Sequence, residues 1–324
     1  MHTDTDLDSQ HRPRAMTGRS AGRVHGSFGL AGLAGLVVLV ACMWGARPAA
    51  AFEPFVGTRA LGMGGGLRAA ATGGSGPLLN PSGMSLTQSY NIEADYVFAH
   101  ARDDNFFHAS VVDSTSAFRL AGGFYYTYHS DDPDGPPSGH GHEAGLALAL
   151  PFGDRVTIGG TLKYFLLSGD QQTVDLKTSG LTFDAGATVR VTSGLSLGVV
   201  GTNLRKLQTG LAPLAIGYGI ALSPEEDVLL VVDGVTFLAA DPPLPRKSTR
   251  ISGGAEVLLA KKIALRAGGG YDGVSQNGFF TAGFSAVSEA GALDFGARQD
   301  AFQSGSAPRE TILGVSFRLF VPQP

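Results

Sequence analysis

Metal-capable side chains gather once in this 324-residue chain: His129, Asp131, Asp132 and Asp134 are followed closely by His140 and His142. The paired-ligand spacing of a structural zinc site is absent from that run. It reads as a solvated loop, with a weak divalent-cation contact as the alternative, and no cofactor or resident metal is expected. Hydrolytic chemistry needs a nucleophile, a base and an orienting group within reach of one another. No Gly-x-Ser-x-Gly elbow occurs, and Ser and His are otherwise scattered, so the chain does not read as an enzyme. The regular chemistry is electrostatic. Glu93, Asp95, Glu143, Asp184, Asp233, Glu256 and Asp294 are matched by Arg119, Lys163, Arg190, Arg250, Arg266, Arg298 and Arg318. The two signs balance, and each of these charges falls on the face opposite a row of apolar side chains.

The elements that place them are strands. In 181–191, Leu181, Phe183, Ala185, Ala187, Val189 and Val191 share one face, and Thr182, Asp184, Gly186, Thr188 and Arg190 the other. Leu313, Val315, Phe317 and Leu319 likewise oppose Ser316 and Arg318. A period of two over such lengths marks a β-strand with one polar and one apolar side. Fourteen segments qualify, at 90–99, 106–112, 117–128, 143–150, 155–167, 181–191, 195–204, 213–222, 228–238, 249–258, 263–271, 278–286, 292–298 and 311–320. Short connections such as 113–116 and 151–154 alternate with longer ones such as 129–142 and 168–180, with the brief 272–277 as the exception. Segment 228–238 fits least, because 228–232 is apolar on both faces; a packing partner on its polar side would explain it. Phe98, Phe106, Tyr126, Tyr128, Tyr164, Tyr271 and Phe280 lie near the long-loop ends, where an interfacial aromatic belt belongs.

The composition points the same way. The chain is 16% charged with 47 Gly and a net charge of −4, against about 25% charged and about 7% Gly in ordinary soluble domains. Neither half is basic, so nucleic acid is not an expected partner. Arg12, Arg14, Arg19 and Arg23 precede an apolar run over 28–44, and Ala49-Ala50-Ala51 offers a cleavage site before Phe52. Residues 1–51 therefore read as a signal peptide. Cys42 is the single cysteine, which excludes an internal disulfide; Leu39-Val40-Ala41-Cys42 leaves a lipid-anchored form starting at Cys42 as an alternative. After Phe52 no apolar run approaches the roughly 20 residues of a membrane helix. An exported, apolar, strand-rich chain then has one way across a bilayer, a closed barrel with its charges inside. A soluble β-sandwich also alternates, but it does not accommodate inward charges on nearly every strand.

One stretch has no period at all. Residues 56–86 are rich in Gly and Ala and contain Gly62, Gly64, Gly65 and Asn80-Pro81-Ser82-Gly83. Glycine at this density suits a compact, irregular element lodged inside something else. Residues 52–88 are expected to plug the barrel formed by 89–324.

Arg59-Ala60-Leu61-Gly62-Met63-Gly64-Gly65-Gly66 followed by Asn80-Pro81-Ser82-Gly83 resembles the start of the FadL-type family of outer-membrane hydrophobic-compound transporters, and of the shorter PorV-type barrels of that wider group. Phe183-Asp184-Ala185-Gly186 and the run 195–204 resemble its middle strands. The resemblance implies an all-β, transmembrane antiparallel barrel of about fourteen strands with an N-terminal hatch, in the outer membrane of a Gram-negative bacterium. It implies passive transport of long-chain fatty acids or other hydrophobic compounds, and makes Asn80 and Pro81 the hatch-motif residues. The expected partners are outer-membrane lipid and a hydrophobic small molecule. Position 82 departs from the family pattern, being Ser rather than Ala, and the chain is short in its outer loops, where capture would occur. The alternative is a PorV-like barrel that docks an envelope protein and transports nothing. The third strand of the transporters is kinked to open the wall; Gly122-Gly123 would allow that here, with tight packing as the other reading.

Overall fold

The computed structural model describes residues 55–116, 118, 120–130, 138–171, 174–207, 212–238, 248–303 and 309–321. Residues 1–54 with Cys42, Arg119, and the loop acids Asp131, Asp132 and Asp134 lie outside the described residues. Alternation of polar and apolar side chains does build strands, and they close: β1 (Tyr90–Ala99) through β14 (Thr311–Phe320) form one antiparallel barrel in which each strand pairs with its sequence neighbours. The seam is the β1–β14 ladder, which runs from Asn91 opposite Phe320 to Ala99 opposite Ile312. Closure leaves no unpaired strand edge. No described helix is long and apolar enough to cross a membrane.

The two faces separate cleanly. On β1, Asn91, Glu93, Asp95, Val97 and Ala99 are buried inside, while Ile92 and Tyr96 point out. Phe107, Phe124, Leu146, Val232 and Phe317 are among the outward side chains more than half exposed. A continuous apolar exterior of this extent demands an apolar surrounding.

Several strands are longer than their alternation suggests. β5 (Val156–Gln171) and β6 (Val174–Arg190) remain paired through Ser168–Lys177 to Gln171–Val174, across the stretch expected to be a loop at 168–180. β4 (Ser138–Phe152) starts before Glu143, so the expected 129–142 loop shrinks, and His140 pairs with Ser130. The sequence stops alternating there, 168–171 reading Ser-Gly-Asp-Gln, so the period-two signal is lost while the ladder pairing continues. Phe106 also differs from expectation. It is buried inside the barrel rather than part of an outer belt, because its position on β2 (Asp104–Asp113) has inward parity.

Residues 55–89 run inside this wall as three short helical turns: α1 (Thr58–Leu61), α2 (Ser75–Leu79) and a 3₁₀ turn over Pro81–Leu86. Gly64 and Gly65, at φ of 75° and 77°, make a reversal that L side chains rarely adopt. Ala60, Met63, Leu67, Ala69, Ala71 and Leu79 pack with Ala221 and Val231 of the wall, and Leu229 lies against the same cluster. That contact explains why the start of β9 (Val228–Phe237) is apolar on both faces.

The wall is bare where this segment touches it. A Cβ on Gly159 would sit 2.6 Å from the Pro81 carbonyl carbon, one on Gly254 would sit 2.7 Å from the Met63 carbonyl oxygen, and one on Gly296 would sit 2.6 Å from the Thr58 carbonyl oxygen. Backbone therefore packs on backbone. Gly254→Val is expected to destabilise the protein by about 1–3 kcal/mol through overpacking and to expose 55–89 to protease. Gly122→Ala, whose Cβ would meet only Leu148 at 3.9 Å, should leave both unchanged. Denaturant unfolding and limited proteolysis of the two variants check this.

Candidate functional site in the barrel lumen

Two kinds of polar contact hold 55–89 to the strands. The first is ionic. The Arg59 guanidinium donates to Glu256 through Nε at 3.0 Å and through its terminal nitrogen at 2.6 Å. Glu256 also accepts from Arg266 at 2.5 Å; Arg266 reaches Asp294 at 3.1 Å, and Asp294 binds Arg318 at 2.8 Å. One chain of alternating charge thus runs from α1 across β10 (Ser248–Leu259), β11 (Ile263–Asp272), β13 (Gly291–Gln303) and β14. Burial alone would push the Arg59 pKa down, but Glu256 more than reverses this, with smaller contributions from Asp294 and Glu93, so the net shift is upward and the cation persists. On the other side, Asp233 Oδ2 accepts from the backbone N–H of Leu67 at 3.0 Å, from that of Arg68 at 2.9 Å, and from the Arg68 side chain at 3.1 Å. Three donors converging on Oδ2 offset part of the water this buried carboxylate loses, while Oδ1 is buried without a hydrogen-bond partner.

The second contact is neutral. Asn80 is fully buried. Its Nδ2 donates to the Arg68 carbonyl at 2.8 Å and to Thr188 Oγ1 at 3.2 Å, and its Oδ1 accepts from Ser82 Oγ at 2.7 Å. Ser82 Oγ in turn lies 2.7 Å from Thr188 Oγ1. Asn80 also caps the 3₁₀ turn by accepting from the Ser82 N–H. The hydroxyl of Ser82, where the resembling family carries Ala, therefore adds a bond to the wall. Pro81 and Gly83 are buried in the same turn, and a Cβ on Gly83 would run into the Ala71 backbone. Gly62 lies against Gly283, so backbone again meets backbone there.

The described members of the charge set are buried or half-buried on the inner side. Besides the pairs above, Lys163 binds Asp184 at 2.8 Å, Arg298 binds Asp300 at 3.1 Å, Arg250 binds Asp272, and Glu143 accepts from the Tyr125 hydroxyl. Arg190 donates to the Leu86 carbonyl at 3.0 Å, and Asp95 accepts the Thr58 N–H at 2.9 Å. Glu93 lines a polar cavity with Arg59 and Arg318. No described group of His, Cys, Asp and Glu is arranged to hold a metal ion. His129 instead stacks on Phe106, and His142 meets the Tyr126 hydroxyl at 2.6 Å.

Sequence reading did not single out Arg59, Arg68, Phe55, His108, Tyr125 or Thr188. Arg59 and Arg68 lie in the aperiodic stretch, where no parity assigns a direction. Phe55 stacks on His108, with ring centroids 4.8 Å apart, and lies 6.0 Å from Phe106. His108 and Tyr125 do have inward parity on β2 and β3 (Ala121–Ser130), which is the signal that could have found them.

A cavity of 90 Å³ lies between the segment and the wall. Phe55, Val56, Leu78 and Leu79 of the segment line it together with Tyr125, Phe165, Pro213 and Phe237 of the wall, and so do Arg68, Lys163, Glu143 and Asp184. Thr127, Thr202 and Asn203 also line it, so the lining is mixed, and its charges are already bonded to one another or to the wall. Such a space receives an uncharged molecule more readily than an ion.

No family model and no curated protein matches the sequence. Among solved structures, the CymD monoaromatic hydrocarbon channel is similar at a TM-score of 0.66 and 15% identity, over 84% of this chain and 99% of that one. The Pseudomonas putida toluene transporter TodX is similar at 0.58 and 12% identity, over 83% and 98%. A Pseudomonas aeruginosa FadL homologue is similar at 0.57 and 10% identity, over 84% and 99%. The likeness is one of fold: this chain has the barrel architecture of the FadL-type hydrophobic-compound channels.

The Asn80 cluster gives a direct test of what fastens the segment. Asn80→Ala leaves the Ser82 and Thr188 hydroxyls short of a buried partner and is expected to cost about 1–3 kcal/mol. In a double-mutant cycle, Asn80→Ala and Thr188→Val should show coupling of about 0.5–3 kcal/mol. Urea unfolding in detergent measures both, and additive effects would show that the two side chains act separately.

Proposed function

We propose that this protein is a passive outer-membrane channel for small hydrophobic compounds, plugged by residues 55–89. The observation that carries the reading is the position of that segment, inside a closed wall and bonded to Glu256, Asp233, Asp95 and Thr188 on separate strands. The apolar exterior suits lipid, and the sequence of the first 51 residues suits export. The solved structures that share the fold include one described as a monoaromatic hydrocarbon channel and one as a toluene transporter. Movement would be driven by the solute's own partitioning out of water.

Within that class, small neutral compounds are favoured over long-chain fatty acids. The 90 Å³ cavity is far below the roughly 300–1,000 Å³ of sites that enclose drug-sized ligands. The cations on its lining, Arg68 and Lys163, are held by Asp233 and Asp184. A fatty-acid carboxylate would have to break one of those buried pairs, at a cost of about 3–5 kcal/mol.

The test uses Gram-negative cells that lack hydrophobic-compound channels of their own and express this protein. Labelled toluene should enter faster than into control cells, and labelled oleate should not. Toluene entry at the control rate overturns the channel reading. Deleting 55–89 should turn the purified protein into a steadily conducting pore in planar bilayers; a deletion variant that conducts no more than the intact chain would show that this segment is not a plug.

A further inference from the structure

We propose that the 90 Å³ cavity carries a subsite for one hydroxyl group, with Glu143 as its acceptor, so that the solute it holds best is a small apolar molecule bearing a single O–H. This rests on the reading above that the cavity is where solute is received.

The carboxylate is built into position. Tyr125 and Thr127 of β3 have inward parity, and Thr127 stands directly opposite Glu143 of β4 in the ladder. All three line the cavity. Tyr125 is fully buried and stands opposite Gly145. A Cβ on Gly145 would run into the Tyr125 ring. The bare position therefore lets the ring lie across β4 and bring its hydroxyl to Glu143 Oε1, which accepts from it. Thr127 is fixed in turn by His108, whose Nδ1 lies 2.8 Å from the threonine Oγ1.

The other carboxylate oxygen is left over. Among the described residues nothing donates to Glu143 Oε2. Unlike Asp233 Oδ1, it is not sealed off by its surroundings. Two carboxylates line the cavity, and they differ. Asp184 is paired with Lys163 at 2.8 Å and also accepts the Asn203 N–H at 2.8 Å, whereas Glu143 has no ion pair.

This arrangement sorts solutes by their polar group. A carboxylate would be set against Glu143, and an ammonium against Lys163 and Arg68, which line the same space. A neutral hydroxyl meets neither conflict. It donates to Oε2 and replaces the water that the solute displaces there. A plain hydrocarbon displaces that water and leaves the acceptor unmet, which is the circumstance in which a polar site rejects a ligand lacking the matching group. The apolar body of the solute contacts Phe55, Leu78, Phe165 and Phe237 in either case.

4-Methylphenol is toluene with one hydroxyl added, so the two isolate the contact. Equilibrium dialysis of the purified protein in detergent, with protein-free micelles as the baseline, should show 4-methylphenol bound about tenfold or more tightly than toluene. 4-Methylanisole, whose oxygen has no hydrogen to donate, should bind like toluene. Equal binding of 4-methylphenol and toluene, or of 4-methylphenol and 4-methylanisole, overturns the subsite, and this comparison needs no variant. Glu143→Gln removes the charge and keeps the shape; Glu143→Leu with Tyr125→Phe removes the acceptor without orphaning the tyrosine hydroxyl. Both should reduce the preference for 4-methylphenol, the second to none, while toluene binding persists and reports that the cavity has formed. A preference undiminished in the double variant overturns the assignment to Glu143. In the cells described above, entry of both compounds at the control rate alongside a retained binding preference would remove the channel reading and leave the subsite standing.

Discussion

Backbone lies against backbone in the middle of this barrel, and the rest of the structure depends on that contact. Side chains on the inner wall would hold 55–89 several ångströms away. Gly159, Gly254 and Gly296 carry none, so the segment's carbonyls and α-carbons reach the strands directly. Only at that separation can the Thr58 N–H meet Asp95, or the Leu67 N–H meet Asp233. The small residues and the short polar side chains form one design: the first create the gap width, and the second satisfy the groups brought together across it.

The ionic part of the lumen follows from the exterior. An apolar outer face leaves the inner face as the only place for charge along each strand. Charges crowded there must neutralise one another, and they do so in a chain rather than in isolated pairs. Arg59, Glu256, Arg266, Asp294 and Arg318 each touch the next. Since Arg59 belongs to the inserted segment, the balance of the wall is complete only with the segment in place.

Much of this was legible in the sequence, for a definite reason. Where one face of a strand is apolar and the other polar, alternation reveals both the strand and its inward residues, as at Asp184 on β6 and Arg318 on β14. Where the sequence stops alternating the signal vanishes, and the β5–β6 extension past Ser168 reads as a loop. Parity also gives direction without register. It placed Glu256 and Arg266 on the inner side, but not that Glu256 stands opposite Arg266 and also takes Arg59. The glycines are the least legible feature. Gly254 supports a carbonyl and Gly122 supports nothing in the lumen, yet the two are indistinguishable until the ladder positions are known. In the segment itself, Asn80 stands out through a short motif, while its wall partner Thr188 is marked only by its polar-face parity.

The location of the seam has a consequence for biogenesis. α1 sits on Gly296 of β13 and Gly314 of β14, beside the ladder that joins the first strand to the last. Thr58 and Leu61, near the start of the described residues, thus meet the last two strands at the point where the ring closes, so the seating of α1 and the zippering of the final ladder share one set of neighbours.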